Sequence, residues 1–161
     1  MGNYSLDPIR FDTVSHTTLT RGPNDSDIGQ VIIEDGKEYI KVYNNGLTLT
    51  QYDAAVAATT NTSPYSVTGS GATEAGLLVG IANNCDIASY HYGWLLKEGA
   101  TDCKNGMSDT VHVSHEFAIP GLDGGVVAYT ATAKVSPNIT VISAGASGST
   151  ADSLVRVFIR A

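Results

Sequence analysis

Aromatic and potentially reactive side chains are concentrated in residues 89–103, which read SYHYGWLLKEGATDC. The stretch holds one histidine, two tyrosines, the only tryptophan and one of the two cysteines. If it forms a strand, Tyr90, Tyr92 and Trp94 share one face, because side chains alternate along a strand. Such an aromatic row could stack on sugars or bases. We instead expect Trp94 to be a core residue, since an apolar run at residues 77–81 precedes it.

The histidines offer no site for a metal ion. His112 and His115 are three residues apart within an alternating, strand-like segment, SDTVHVSHEFAIPG. On a strand such positions point to opposite faces, so the two imidazoles cannot share one ion. The sequence therefore predicts no metal site, and nothing in it calls for a cofactor.

No motif nominates a catalytic residue. The nearest approach to a Gly-x-Ser-x-Gly nucleophile elbow starts at Gly145 but has Ser149 where the closing glycine should stand. No phosphate-binding loop is present, and nothing singles out a pair among the sixteen acidic residues. We expect no catalytic site, and a small hydrolase is the weakest of the functional hypotheses.

Charge argues against nucleic acids and membranes as partners. The formal net charge is −7, with only nine lysines and arginines and no basic cluster. Phosphate backbones and anionic lipid surfaces are bound through clustered cations, which this chain lacks. No apolar run is long enough for a membrane span.

The compartment follows from the first residues and the cysteines. MGNYSLDPIRFD has neither the basic nor the apolar region of a signal peptide, so we expect synthesis in the cytoplasm. In that compartment Cys85 and Cys103 are expected to stay reduced and to pack as small apolar side chains. Pairing of the two remains the alternative.

The pattern of residues 28–161 predicts an all-β domain, either a small sandwich or a barrel of short strands. Asp35-Gly36 lies between two β-rich runs, which is typical of a type I′ hairpin. GLLVGIAN has the pattern of a strand buried on both faces. Thr50-x-x-Asp53 resembles a helix capping box, but alternation of leucine with threonine just before it favours a strand and a turn.

Residues 1–27 are predicted to be an extended N-terminal arm. They carry Pro8, Pro23 and the polar run RGPNDSD, with no sustained periodicity. Their few apolar residues cannot form a core of their own. Ile9, Phe11 and Val14 are the expected contacts to another subunit or to a partner surface.

An ordered set of motifs resembles the small β-rich head decoration (cement) proteins of tailed bacteriophages. The set is the hairpin GQVIIEDGKEYIKVYNNG, then GLLVGIAN, then YHYGWLLKEG, then the terminal DSLVRVFIRA. In that family a Gly-Val-Ala strand precedes a Tyr-Gly-Trp-Val-x-x-x-Gly strand. Val79-Gly80-Ile81-Ala82 and Tyr92-Gly93-Trp94-Leu95-Leu96 stand in those places. These are fold motifs over residues 28–161, and they carry over no functional residue.

The resemblance implies a structural virion protein that binds the outer capsid surface and stabilises the shell. Its partners would be the major capsid protein and further copies of itself, as a homotrimer. It would be neither an enzyme nor a cofactor-binding protein. The alternative is a receptor-binding or glycan-binding β domain on the virion surface that uses Tyr90 and Tyr92.

Overall fold

The computed structural model describes residues 14–15, 28–58, 63, 65–69, 77–83, 86–105, 117–120, 125–128, 139–143 and 154–161. These residues contain no helix, and eleven strands join them in one hydrogen-bonded system. The strands are β1 (Val14–Ser15), β2 (Val31–Glu34), β3 (Lys37–Asn44), β4 (Ala54–Ala57), β5 (Ser66–Gly69), β6 (Leu78–Ile81), β7 (His91–Lys104), β8 (Phe117–Pro120), β9 (Val126–Ala128), β10 (Ile139–Ser143) and β11 (Leu154–Arg160). The predicted all-β class is confirmed.

The β2–β3 hairpin has the predicted two-residue turn. Asp35 and Gly36 both adopt positive φ, 49° and 72°. Glu34 pairs with Lys37 on either side of them. This is the backbone that a type I′ turn requires, so the local Asp-Gly signal determines the register of the hairpin.

Five strands close into a barrel in the order β3-β5-β4-β6-β7, and β7 pairs back onto β3. The β3–β5 pairing is parallel and the others are antiparallel. Of the two architectures the sequence allowed, the structure has the barrel, with further strands added to it. Because the sheet closes on itself, each of these five strands has a hydrogen-bonded neighbour on both sides.

Strand β7 belongs to the barrel and also to a second sheet. Its first half pairs with β3 up to a bulge, where Tyr39 pairs with Leu96 and Glu38 with Glu98, so that Lys97 is the extra residue. Gly99 follows with φ of +136°. From Glu98 onward β7 pairs with β11, and the sheet continues through β10 and β8 to β9. The bulge thus lies where the strand passes from barrel to sheet.

Two apolar clusters correspond to these two layers. All five barrel strands contribute to the first, which fills the barrel: Ile40, Val42, Leu49, Ala55, Val67, Ala82, Ile87 and Leu95, with Val79 packed against them. The second lies between the barrel wall and the added sheet. Its members are Tyr39, Ala54, Leu78, Ile81, Leu96, Cys103, Ile139, Val141, Val155, Val157 and Ile159.

The added sheet turns its other side to solvent. Along β11 burial alternates strictly, with Val155, Val157 and Ile159 buried and the residues between them exposed. We call the solvent side of this sheet the outer face. It comprises Glu98, Ala100 and Asp102 of β7, Leu154, Arg156, Phe158 and Arg160 of β11, and Thr140 and Ile142 of β10.

The Thr50-x-x-Asp53 motif closes a turn and starts no helix, as the favoured prediction had it. Asp53 Oδ2 accepts hydrogen bonds from the Thr50 amide at 2.6 Å and from Thr50 Oγ1 at 2.9 Å. Strand β4 begins at the next residue. The same side chains that cap helices can close a turn, and here barrel pairing of the following alanines sets the outcome.

Candidate functional site

One end of the barrel exposes two large side chains that nothing in the described chain covers. Leu47 follows β3 and is 86% exposed, and Tyr90 precedes β7 and is 48% exposed. The two loops are joined, since the Tyr90 amide donates to the Asn44 carbonyl and Ser89 Oγ donates to the Gly46 carbonyl. We call Leu47, Tyr90 and the two loops that carry them the tip.

A fully buried asparagine holds the tip together. The Asn44 side-chain amide donates to the carbonyls of Leu47 at 2.8 Å, Ile87 at 2.9 Å and Ala88 at 3.2 Å. Its Oδ1 accepts from the Gly46 amide at 3.0 Å. One side chain therefore bonds backbone groups of both loops, which makes the tip a fixed surface.

Tyr90 has a backbone conformation that a bulky residue seldom adopts. Its φ is +61°, in the left-handed region that favours glycine and asparagine. Such a conformation costs of order 1–3 kcal/mol and persists only where the surroundings impose it. Here the hydrogen bond from the Tyr90 amide to Asn44 imposes it, and the ring points into solvent.

The three aromatic residues of the SYHYGW stretch do not form one exposed row. Tyr90 lies in the turn, whereas Tyr92 is only 4% exposed and packs on Tyr43, with ring centroids 5.0 Å apart. Trp94 is partly buried against the cluster between barrel and sheet. Trp94 thus contributes to the core from its margin, and only Tyr90 remains as an aromatic contact surface.

Two residues of the arm, 14 and 15, lie close to the tip. Strand β1 pairs antiparallel with the first residues of β7, Val14 with Tyr92 and Ser15 with His91. His91 Nδ1 lies 2.8 Å from the Ser89 carbonyl, so the imidazole is tied to the same turn. Ile9 and Phe11, the other two predicted contacts, lie outside the described residues, as do Cys85, His112 and His115.

The outer face carries the second group of exposed apolar side chains. Phe158, Leu154 and Ile142 are each about 40% exposed there, at 39%, 43% and 42%. Two ion pairs flank Phe158, Arg156 with Asp102 and Arg160 with Glu98, each at 3.2 Å. A ring between two arginines is a composition typical of protein-binding surfaces.

A buried polar cluster joins the turn before β4 to the end of β7. Lys104 Nζ lies 2.7 Å from Asp53 Oδ1, and it also donates to Thr50 Oγ1. Asp53 is buried, and the Lys104 ammonium and Thr50 together use both of its carboxylate oxygens. Since each charged group is already bound to a partner within the fold, the cluster is structural.

Cys103, beside this cluster, is a free and fully buried thiol. Burial, and secondarily the negative charge of Asp53, raise the pKa of the Cys103 thiol far above its ordinary range. A thiol that stays protonated is a poor nucleophile and a poor metal ligand. Among the described residues no group of three or more His, Cys, Asp or Glu side chains could hold a metal ion. Over the same part of the chain, no helix could span a membrane.

Sequence patterns pointed to some of these residues and missed others. The aromatic pattern points to Tyr90. Leu47 enters only through its alternation with threonine, and no pattern in the sequence singles out Asn44. Phe158 could have been found from the sequence LVRVFIR, because side chains alternate along a strand and Phe158 stands two residues from each arginine. If the arginines face solvent, the phenylalanine on the same side of the strand is exposed as well.

Comparison with known proteins gives no match to a family model and no match to a curated protein sequence. The described structure itself therefore characterises the tip, as a fixed and partly apolar projection.

Proposed function

We propose that this chain is a structural virion protein that attaches to the outer surface of a phage capsid and stabilises it. The observation that carries the proposal is the tip, where Leu47 and Tyr90 project from a backbone held by buried Asn44. The tip and the N-terminal arm would contact the major capsid protein. The resemblance of residues 28–161 to head decoration proteins supplies the class of partner.

The tip has properties of a protein-binding anchor. Tyrosine gives a large contact area at low entropic cost, and it is enriched among the residues that dominate binding energies. Because the tip is already fixed by Asn44, little conformational freedom remains to be lost on docking. Each contact is small, but repetition over a lattice gives avidity without a large interface at any one site.

Charge and stabilisation are consistent with this role. A chain of net charge −7 suits the outside of a shell, away from packaged DNA. A protein that binds only the assembled shell stabilises it by mass action, by about 2.7 kcal/mol per site at a hundredfold excess over Kd. No catalytic group is needed for this effect.

The alternative is binding to a receptor or glycan on the host surface, and the exposed ring of Tyr90 is the observation that favours it. Sugar stacking usually draws on an aromatic face with polar groups around it. In this chain Tyr92 is buried, so a single ring would have to serve.

The test is co-sedimentation of the purified full chain with expanded, undecorated capsids. Tyr90→Ser and Leu47→Ser should each weaken binding at least about tenfold, as loss of an anchor contact worth about 1.4 kcal/mol or more does. Ile33→Ser is the matched control, because Ile33 is 74% exposed on β2, outside the tip. Absence of capsid binding by the original chain would refute the proposal. Capsid binding unchanged in both tip variants would show that the tip is not the contact, and glycan binding lost only in Tyr90→Ser would establish the alternative.

A further inference from the structure

The outer face carries its charges in two columns of opposite sign. Along β7 the charged residues on this face are Glu98 and Asp102, because Lys104, the next residue of the same parity, is bound to Asp53. Along β11 they are Arg160 and Arg156. The register places each acid directly opposite an arginine. The face therefore has an acidic column on β7 and a basic column on β11, and their charges lie at the same positions along the strands.

We propose that this face binds the same face of a second copy, related by a two-fold axis parallel to β11. Rotation about such an axis preserves height along the strands and exchanges left and right. The acidic column of one copy then faces the basic column of its partner, row by row. A two-fold axis across the strands would instead set acid against acid, so the charges select one geometry.

The apolar row between the charges fits the same geometry. Phe158 pairs with Ala100 across β11 and β7, between the Arg160–Glu98 and Arg156–Asp102 rows. After the rotation Phe158 of each copy lies over Ala100 of the other, and the small side chain leaves room for the ring. Leu154 and Ile142 extend the contact at its margins.

The ion pairs within each copy do not compete with this contact. Arginine carries five N–H donors, so Arg156 can keep Asp102 of its own chain and also bind Asp102 of the second copy. The side chains of all four charged residues remain at least about one-third exposed, so these groups are accessible to a partner. The result would be a network of four charges on either side of the Phe158–Ala100 contact.

The size of the face predicts a weak dimer. Seven residues along three strands cover about 23 Å by 14 Å at standard strand spacings. Such a footprint lies well below the ~800 Å² per partner of a standard interface. We therefore expect association in the micromolar range or weaker, which a lattice of binding sites would reinforce. Because the contact is between copies, it requires no capsid.

Sedimentation equilibrium of the full chain tests the proposal. We expect a monomer–dimer equilibrium, with dimerisation weakened at least about thirtyfold in Phe158→Asp, a loss typical of an interface anchor. Leu47→Asp is the control, since it places the same charge on an exposed apolar residue of the tip. Circular dichroism verifies that each variant is folded.

A charge exchange gives a test that does not depend on weakening the fold. The variant carrying Glu98→Arg, Asp102→Arg, Arg156→Glu and Arg160→Glu keeps both in-chain ion pairs and remains self-complementary. It should form homodimers as the original chain does, yet fail to form mixed dimers with it in native mass spectrometry. Mixed dimers at the statistical proportion would overturn the assigned geometry.

Two other outcomes would also overturn it. A chain that stays monomeric to millimolar concentration, or that sediments as a trimer, does not use this two-fold contact. If Phe158→Asp leaves self-association unchanged but abolishes capsid binding, the outer face is a capsid contact. The tip variants report on capsid attachment separately, so failure of the dimer and failure of the proposed function can be told apart.

Discussion

The Lys104 ammonium lies 2.7 Å from the Asp53 carboxylate, and this contact joins residues 51 positions apart in the sequence. It connects the turn before β4 to the last residue of β7, where the Lys104 amide also donates to the Tyr52 carbonyl. The barrel and the added sheet meet at this point. Removing Lys104 would leave Asp53 buried without its partner.

Lys104→Met should therefore lower the free energy of unfolding by about 2–4 kcal/mol, because buried Asp53 would lose its cationic partner. Urea denaturation measures the change. Arg160→Met is the control: its ion pair with Glu98 is exposed, and such pairs are worth at most about 1 kcal/mol. Equal losses in the two variants would show that burial of the Asp53–Lys104 pair has no special weight.

The buried thiol predicts a dependence of stability on alkaline pH. The pKa of Cys103 is raised in the folded state by burial, whereas in the unfolded chain it is about 8.5. The stability that this thiol contributes is thus fully present below about pH 8.5 and declines as pH rises above it, by up to about 1.4 kcal/mol per pH unit. Denaturation of the original chain and of Cys103→Ala between pH 7.5 and 10 compares the two slopes. If stability falls with pH equally steeply in the two proteins, the pKa of Cys103 is not raised in the folded state.

Gly93 is predicted to be intolerant of any side chain. A Cβ at this position would lie 2.6 Å from Ile87 Cδ1, within the barrel core. Gly93→Ala should cost about 1–3 kcal/mol through overpacking. Gly69→Ala is the control, since its nearest neighbour, Leu49 Cδ2, would be at an ordinary 3.4 Å. In a double-mutant cycle Ile87→Ala should relieve part of the cost, and strict additivity would argue against the clash.

The position of Trp94 at the margin of the core gives a further prediction. Trp94→Ala should destabilise the fold by less than the 3–5 kcal/mol typical of a fully buried tryptophan. Leu95→Ala, at a fully buried neighbour, should cost about 2–5 kcal/mol. Acrylamide should also quench the fluorescence of this single tryptophan to an intermediate degree. Fluorescence fully shielded from quencher would place Trp94 at the centre of the core.

Local signals in the sequence were enough to predict several of the strands. The Asp35-Gly36 turn, the apolar run ending at Ile81 and the alternation along β11 each follow from residues close together in the chain. The residue preferences of turns and the alternation of side chains along a strand act over a few residues, so both can be recognised in the sequence alone.

Closure of the barrel and the construction of the tip could not be predicted in this way. The parallel pairing of Tyr43 with Ser66 and the return of β7 onto β3 join distant segments, and no local pattern marks them. No local pattern marks Asn44, because its hydrogen bonds to Ile87 and Ala88 exist only once the barrel has formed. The burial of Tyr92 likewise depends on Tyr43 across the sheet.

The most direct test of capsid attachment is electron cryo-microscopy of expanded capsids saturated with the purified chain. We expect added density at regular positions on the outer shell, with Leu47 and Tyr90 in contact with the major capsid protein. Particles that bind no protein, or bound protein whose tip points away from the shell into solvent, would contradict attachment through the tip.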